Sequence, residues 1–276
     1  MEKRDPLKLL AYQVLIPDTP SAGDRDRYVT SLCEHIAGYL GDEGAVNVVI
    51  LPELCTLEYS RQAFESLADL AEPLNGPSVE RFAALARTLD AVVVFGMARR
   101  TDTGFRISQV TLSETGEIAA CYDKMHLCQY GASCEKEYFE PGHRISVTTT
   151  KGWTVAPLIC YDIRIPEMSR ALTLEHNVDL LLHCGAYFRD ESFATWHNFA
   201  MTRAMENQVY LLSLNRAGEN YGNSIFCPPW IDEAHPADYF EAHVEDFRLL
   251  ELDPDLPEKT RSMYTFLKDR HERYRL

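Results

Sequence analysis

Short runs of apolar residues alternate along the chain with longer segments in which apolar positions recur every three or four residues. Continuous runs are typical of strands covered on both faces, and the spaced positions are typical of amphipathic helices. The runs predict strands at residues 7–15, 46–51, 91–97, 154–159, 178–183 and 209–215. The spaced positions predict helices at residues 24–40, 77–89, 166–175 and 193–207.

The order of these elements predicts the fold class. A strand–helix–strand–helix–strand series is followed by a hairpin at residues 106–121, and then the same series recurs. Three further strands are predicted in the C-terminal part, at residues 223–227, 239–243 and 247–252. We therefore predict one α/β domain that spans residues 1–276 and contains two pseudo-related halves, with a C-terminal helix or tail from about residue 257.

Polar side chains stand just beyond three of the buried runs. Glu53 follows the second predicted strand, Cys160 follows the fourth, and His183 and Cys184 follow the fifth. Because ligands of open α/β sheets bind at the carboxyl ends of the strands, Glu53 lies where it could meet Cys160. Each residue also has a structural explanation. Glu53 could be a charge at a helix N-terminus, and a cysteine at a strand end can simply be a small buried apolar side chain.

The stretch at residues 156–167 changes abruptly from apolar to charged at Cys160. Pro166 can open a helix, so the stretch predicts a strand, a sharp turn and a helix, with the thiol at the turn. Backbone N–H groups that follow such a turn can point at an anion. Upstream of it, Lys124 opens an irregular segment that reaches Gly142, and loops of that length are usually functional.

The composition is that of a globular protein and limits the classes of function. Hydrophobic residues make up 46% of the 276, and the net charge is −15 without a basic cluster, so nothing indicates a nucleic-acid partner. No stretch approaches the length of a membrane span and no signal peptide is recognisable, so we expect a cytoplasmic protein with no membrane partner. In that compartment the eight cysteines are expected to be free thiols, and without a Cys-x-x-Cys pair the sequence predicts no metal site.

Three blocks of the sequence resemble the catalytic blocks of the nitrilase-like carbon–nitrogen hydrolases, in the family's order and at comparable spacing. They are Leu51-Pro52-Glu53, Tyr122-Asp123-Lys124-Met125-His126-Leu127 and Cys160-Tyr161-Asp162-Ile163-Arg164-Ile165-Pro166-Glu167. The resemblance spans nearly the whole chain and implies the family's four-layer α-β-β-α sandwich. It also implies a cofactor-free amidohydrolase that acts with water on a small linear amide or an N-carbamoyl compound, with nitrile hydrolysis as the alternative.

The resemblance assigns a chemical role to each block. An amide carbonyl is a poor electrophile, so the reaction needs a strong nucleophile, and a cysteine becomes more reactive beside cations. Cys160 would attack the carbonyl carbon, and Glu53 would act as general base. Lys124 would stabilise the oxyanion, together with the backbone N–H of Tyr161. The product of the attack would be a thioester, which water would then hydrolyse.

A fourth catalytic residue is implied in the loop after the lysine. That loop resembles the one in N-carbamoyl amino acid amidohydrolases, where Glu135 is the matching position and would orient the lysine and the water. Glu137 is the competing assignment. Two other readings remain open: a non-catalytic binding protein on the same fold, and a metal hydrolase that uses His126 and His183.

The substrate contacts are less sharply indicated. In relatives that act on amides of acids, an arginine at the position of Arg164 can hold the substrate carboxylate, and a structural ion pair is the alternative. Tyr187 is a further candidate substrate contact. Asp190 and Glu191 then stand where amidases for keto-acid amides often have threonines. Two acids there would repel a substrate carboxylate unless Arg164 or Arg189 offsets them, which leaves room for a neutral or amine-bearing amide.

The resemblance also implies an assembly. Members of the family usually form dimers through helices that flank the nucleophile, so we expect a homodimer or a higher homo-oligomer. The predicted helix at residues 166–175 would then lie at the interface.

Overall fold

The computed structural model describes residues 4–271, in which two six-stranded sheets are flanked by helices. The strands are β1 (Leu7–Gln13), β2 (Val48–Ile50), β3 (Val92–Arg100), β4 (Phe105–Leu112), β5 (Ile118–Asp123), β6 (Thr148–Thr150), β7 (Trp153–Ile159), β8 (Leu180–Cys184), β9 (Tyr210–Leu214), β10 (Ile225–Cys227), β11 (Asp238–Tyr239) and β12 (Asp246–Leu252). The helices are α1 (Ala22–Glu43), α2 (Arg61–Glu65), α3 (Leu67–Leu70), α4 (Pro77–Leu89), α5 (Pro166–His176), α6 (Phe193–Asn207), α7 (Leu256–Met263) and α8 (Phe266–Asp269).

The two sheets share one arrangement of strand directions. The strand order is β12-β1-β2-β3-β4-β5 in the first sheet and β6-β7-β8-β9-β10-β11 in the second. In each sheet, three parallel strands have one antiparallel strand on one side and two antiparallel strands on the other. The two pseudo-related halves predicted from the order of elements are therefore confirmed.

Alternate residues of the central strands face different layers. Leu7, Leu9 and Ala11 of β1 pack between the sheets, against apolar residues of β7, β8 and β9. Leu10 and Tyr12 of the same strand pack with apolar residues of α1 and α4. Helices α5 and α6 cover the outer face of the second sheet in the same way. Because both faces of these strands are buried, their sequences are continuous apolar runs. The predicted four-layer α-β-β-α sandwich is confirmed.

The helix starts follow the local sequence. Helix α1 begins after Ser21, whose hydroxyl accepts a hydrogen bond from the N–H of Asp24. Helices α4 and α5 begin with Pro77 and Pro166, as predicted. Proline suits this position because the first N–H groups of a helix have no intrahelical acceptor. The turn that begins at Cys160 therefore ends where α5 begins, at Pro166.

Several short elements differ from the prediction. Helices α2 and α3 were not predicted, because segments of five and four residues are too short to show a helical period. The strand predicted at residues 239–243 is reduced to β11, and the predicted C-terminal helix is interrupted at Tyr264. Its last residues, beyond residue 271, lie outside the described residues. The single domain and the homodimer stay predictions.

No helix within residues 4–271 is both long and apolar enough to cross a membrane. The eight cysteines are free, as predicted.

Candidate active site

Glu53 lies in the turn that follows β2. Leu54 has a φ of 48°, in the left-handed region, and this residue turns the chain away from the strand. Gly96 of β3 lies directly against the turn. A methyl group at Gly96 would lie 2.5 Å from the backbone nitrogen of Leu54, 2.5 Å from the carbonyl oxygen of Pro52 and 2.8 Å from Cα of Glu53. Only a glycine at this position lets the turn pack on the sheet and place Glu53 at its edge.

Lys124 follows β5, and its backbone is held on both sides. Its N–H donates to the carbonyl oxygen of Ile107, and its own carbonyl accepts from the N–H of Gly142, each at 2.8 Å. The irregular segment that starts at Lys124 therefore ends beside Lys124, at Gly142. Within this loop a short 3-10 turn, Glu135–Glu137, carries the two glutamates that compete for the fourth catalytic position.

Lys124, Glu53 and Glu135 form a buried ionic cluster. Nζ of Lys124 lies 2.7 Å from Oε1 of Glu53 and 2.7 Å from Oε1 of Glu135. All three side chains are fully buried. Oε2 of Glu53 accepts a hydrogen bond of 2.8 Å from the N–H of Ala186, which follows β8. The cluster therefore joins the two sheets beyond the carboxyl ends of β2 and β8.

The two loop glutamates have different surroundings. Oε1 of Glu135 also accepts from the hydroxyl of Tyr59 at 2.6 Å, and Oε2 accepts from the N–H of Cys128 at 2.8 Å. Glu137 instead lies on the surface, where it pairs with Arg61 at 2.7 Å. Glu135 is therefore the loop glutamate that contacts Lys124, and Glu137 is not part of the cluster.

Burial and neighbouring charges set the protonation of the cluster. Burial raises the pKa of Glu53 to about 7, against the lowering effect of Lys124, and Glu135 adds to the rise. Burial disfavours the charged form of Lys124, but Glu135 and Glu53 outweigh it and raise the pKa of this ammonium well above its usual range. Lys124 is therefore a permanent cation, and Glu53 is a carboxyl group that exchanges its proton near neutrality.

Cys160 lies at a sharp turn between β7 and α5, as predicted. Its φ is 45°, so the nucleophile candidate occupies the left-handed region. Asp162 fixes the turn, because its carboxylate accepts from the N–H of Ile159 at 2.9 Å and from the hydroxyl of Tyr122 at 2.7 Å. The same carboxylate lies 2.8 Å from Nδ1 of His126. Asp162 and His126 thus support the turn.

The thiol of Cys160 is protonated at rest. Burial raises its pKa well above the ordinary value, the charge of Glu53 raises it further, and Lys124 opposes both. The neighbouring cation expected from the sequence is thus present, and burial and Glu53 outweigh its effect on the thiol pKa. A base has to remove the proton as the sulfur reacts, and Glu53 is the neighbouring group that titrates near neutrality.

Cys160 opens onto a small pocket. The pocket is lined by five aromatic side chains, with one cationic and one anionic side chain among the others. Its lining includes Tyr59, Cys128, Tyr130, Tyr161, Arg164, Tyr187, Phe188 and Asp190. The pocket therefore brings Cys160 together with the three candidate substrate contacts predicted from the sequence, Tyr161, Arg164 and Tyr187.

The Arg164 guanidinium has weak partners within the described residues. It lies 4.9 Å from the ring centre of Phe199 and 5.8 Å from that of Tyr130. Its hydrogen bonds to Thr195 Oγ1 and to the carbonyl oxygen of Ser192 are both long, at 3.4 Å, and its buried Nε has no partner. No ion pair among residues 4–271 involves this side chain, so the structural ion pair considered above is not observed there.

Asp190 connects two loops at the pocket. Its carboxylate accepts from the N–H of Ser192 at 2.8 Å and from the N–H of Ala132 at 3.3 Å. Glu191 is exposed and does not line the pocket. Arg189 points elsewhere, since it donates to the carbonyl of Tyr221. Two backbone donors thus stabilise the Asp190 charge, and Arg164 is the cation that shares the pocket with it.

Some residues that hold the site were not singled out from the sequence. Tyr59 lies in the unpredicted segment that contains α2, so no pattern marked it. Asn215, beyond β9, accepts from the N–H of Tyr187 at 2.8 Å and donates to its carbonyl at 3.0 Å. A polar residue directly after a buried run was the available signal for Asn215, as it was for Glu53.

The donors required by the metal-hydrolase alternative are not clustered. No group of three or more His, Cys, Asp or Glu side chains in the described part of the chain is arranged to hold a metal ion. His126 instead contacts Asp162. The two ring nitrogens of His183 contact Ser213 Oγ and the carbonyl oxygen of Cys160.

Comparison with known proteins gives a consistent result. A model of the carbon–nitrogen hydrolase family matches residues 13–244. An (R)-stereoselective amidase from a Pseudomonas species is 31% identical over 230 residues, which cover 82% of this chain and 80% of the relative. An omega-amidase of Escherichia coli is 29% identical over 174 residues, which cover 63% of each chain.

The fold is also found among solved structures. A carbon–nitrogen hydrolase superfamily protein from Xanthomonas campestris superposes with a TM-score of 0.81 and covers 99% of both chains at 23% sequence identity. That crystal structure carries an arsenic adduct in its active site. At this level of identity the likeness concerns the fold.

Proposed function

The chain belongs to the carbon–nitrogen hydrolase family, and we propose that it hydrolyses the C–N bond of a small linear amide through a covalent thioester on Cys160, releasing ammonia. One observation carries the proposal. The charges of all three residues of the buried Glu53–Lys124–Glu135 cluster act on the thiol of Cys160, and Cys160 lines a small pocket. The amidases among the relatives support the choice of an amide as substrate.

The first half of the reaction uses the resting thiol. Glu53 in its carboxylate form takes the proton from Cys160 while the sulfur attacks the carbonyl carbon. Negative charge develops on the carbonyl oxygen, where Lys124 and the backbone N–H of Tyr161 stabilise it. Glu53 then returns the proton to the leaving nitrogen, the C–N bond breaks, and ammonia leaves a thioester on the sulfur.

The second half regenerates the enzyme. Glu53 takes a proton from a water molecule, whose oxygen attacks the thioester carbon, and the same donors stabilise the second oxyanion. Collapse of this intermediate releases the carboxylic acid and returns the proton to the sulfur. Glu135 holds Lys124 through both halves, and Tyr59 in turn holds Glu135.

The pocket supports a proposal for the substrate class. Arg164 is a cation without a carboxylate partner among the described residues, and it lines the same pocket as Cys160. A planar guanidinium held between two aromatic rings suits a carboxylate at the far end of the substrate. Asp190 would oppose such a substrate, but its charge is stabilised by two backbone N–H groups. We therefore propose an amide that carries a carboxylate as the preferred substrate.

Substitution of the pocket cysteines tests the proposed nucleophile. Iodoacetamide alone is ambiguous, because Cys128 lines the pocket beside Cys160. Ammonia release from a panel of amides, carbamoyl compounds and nitriles should be lost in Cys160→Ala and retained in Cys128→Ala, with EDTA without effect on the wild type. An amide-hydrolysing Cys160→Ala variant would overturn the proposal.

A further inference from the structure

The backbone carbonyl of Cys160 accepts two buried hydrogen bonds. The hydroxyl of Tyr187 donates to it at 2.8 Å, and Nε2 of His183 lies 2.9 Å from it. The two donor groups also lie close to each other, with 3.4 Å between the Tyr187 hydroxyl and Nε2 of His183. Two buried side-chain donors thus converge on a single backbone carbonyl, that of the proposed nucleophile.

The chain of hydrogen bonds behind His183 has one direction. The indole N–H of Trp196 can only donate, and it donates to Ser213 Oγ at 2.7 Å. Ser213 Oγ lies 2.6 Å from Nδ1 of His183. Burial lowers the pKa of His183 to about 4, so the ring is neutral and carries one proton. Because the carbonyl oxygen of Cys160 can only accept, that proton is on Nε2, which donates to the carbonyl, and Nδ1 accepts from the Ser213 hydroxyl.

This carbonyl and the N–H of Tyr161 belong to the same peptide group. Hydrogen bonds to an amide oxygen draw electron density toward it, which makes the N–H of that amide a stronger donor, by about 10–30% per bond. The two bonds also fix the plane of a peptide that follows a residue at a φ of 45°. A left-handed conformation of this kind persists only where the surroundings hold it.

We propose that His183 and Tyr187 are positioning residues for oxyanion stabilisation, which hold and polarise the Cys160–Tyr161 peptide so that its N–H binds the developing oxyanion. Ser213 and Trp196 support them by fixing the His183 tautomer. This inference rests on the proposed role of Cys160 as nucleophile. It gives Tyr187 a role through the backbone, whereas the sequence indicated a direct contact to the substrate.

The competing explanation is that the same bonds only satisfy buried polar groups. The two explanations differ in what they change. A structural role affects the stability of the fold, while a role in oxyanion binding affects kcat and the affinity for tetrahedral adducts more than KM.

Tyr187→Phe is the test variant, because it removes one hydroxyl and leaves the ring stacked on Trp196 at 4.5 Å. Tyr210→Phe is the matched control. Tyr210 also donates its hydroxyl to a backbone carbonyl, that of Asp253, at 3.1 Å, and it lines no part of the pocket. Each variant is compared with wild type for kcat, KM, Tm and inhibition by an aldehyde analogue of the best amide, which forms a tetrahedral adduct with the sulfur.

We expect Tyr187→Phe to lower kcat about 3- to 30-fold with little change in KM, which is less than the loss of a direct oxyanion donor. The aldehyde should bind more weakly by a similar factor. Tyr210→Phe should lower only Tm. Ser213→Ala removes the hydrogen-bond partner of His183 Nδ1 and should show the same kinetic pattern as Tyr187→Phe. It replaces Tyr187→Phe as the test variant if that protein fails to fold.

Unchanged kcat and aldehyde affinity in the folded Tyr187→Phe or Ser213→Ala variant would overturn the inference, whatever the change in Tm. Failure of the proposed function has a different signature, namely amide hydrolysis that survives in Cys160→Ala.

Discussion

Nζ of Lys124 and Oε1 of Glu53 lie 2.7 Å apart, and neither side chain is exposed to solvent. One cation is thus shared by two buried carboxylates, Glu53 and Glu135, so full ionisation leaves a net negative charge. Removing one partner of a buried ion pair leaves an uncompensated charge, which is costly. The arrangement therefore holds Glu53 where its proton can be exchanged, while Lys124 stays charged for the oxyanion.

The pH dependence of kcat/KM should report the ionisation of Glu53. The pKa of this carboxyl group is raised to about 7, so below that pH it holds its proton and cannot accept the one from Cys160. We expect kcat/KM to rise about tenfold per pH unit below neutrality and to level off above about 7. Initial rates from pH 5 to 9 check this. A flat profile across pH 6 to 8 would exclude Glu53 as the general base with this pKa.

Exchange of each loop glutamate for glutamine separates the two candidates for the fourth position. Glu135→Gln leaves Lys124 with a single carboxylate and should lower kcat about 100-fold. Glu137→Gln is the matched control. Since Glu137 pairs with Arg61 on the surface, its loss should leave kcat/KM within about twofold of wild type. The reverse ranking of the two variants would refute the assignment.

Arg164→Gln should change substrate preference. Without the guanidinium, KM for amides that carry a carboxylate should rise about 10- to 100-fold, because a charge-assisted contact is lost. KM for neutral amides of the same length should stay nearly constant. Steady-state kinetics on matched pairs of substrates measure the difference. An equal loss on both members of each pair would show that Arg164 acts through packing on Tyr130 and Phe199.

Gly96→Ala should impair the active site by displacing the turn that carries Glu53. Its methyl group would meet the backbone at Pro52 and Leu54, so the turn that carries Glu53 has to move. We expect a loss of about 1–3 kcal/mol in the free energy of unfolding and a large fall in kcat. Gly38→Ala is the control, since Gly38 is an exposed residue of α1 with open space around it. That change should stabilise the protein by about 0.5–1 kcal/mol without affecting kcat. Urea titration of both variants measures these changes.

The layers of the fold were predictable from the sequence because both faces of the central strands are buried. The sequence segments that form β2, β7, β8 and β9 are continuous apolar runs. Pro77 and Pro166 marked the starts of α4 and α5. The candidate catalytic residues were also visible, since Glu53 and Cys160 directly follow such runs.

What the sequence did not show depends on contacts between distant segments. Tyr59 approaches Glu135 only because the segment around α2 folds over the loop, and no local period marks that segment. The raised pKa of Cys160 follows from burial beside Glu53, which residue order cannot reveal. Of the strand predicted at residues 239–243, Tyr239 belongs to β11, which pairs with β10 at two positions, and Ala242 forms an isolated bridge to Gly222.

The antiparallel pairing of β1 with β12 constrains how the protein can be made on the ribosome. Leu7 pairs with Leu252 and Gln13 with Asp246, so one edge of β1 has no partner until residues 246–252 have been translated. At typical elongation rates this interval is on the order of ten seconds to a minute. An open apolar strand edge invites pairing with other chains. Slow translation or a shortage of chaperones should therefore lower the yield of this protein.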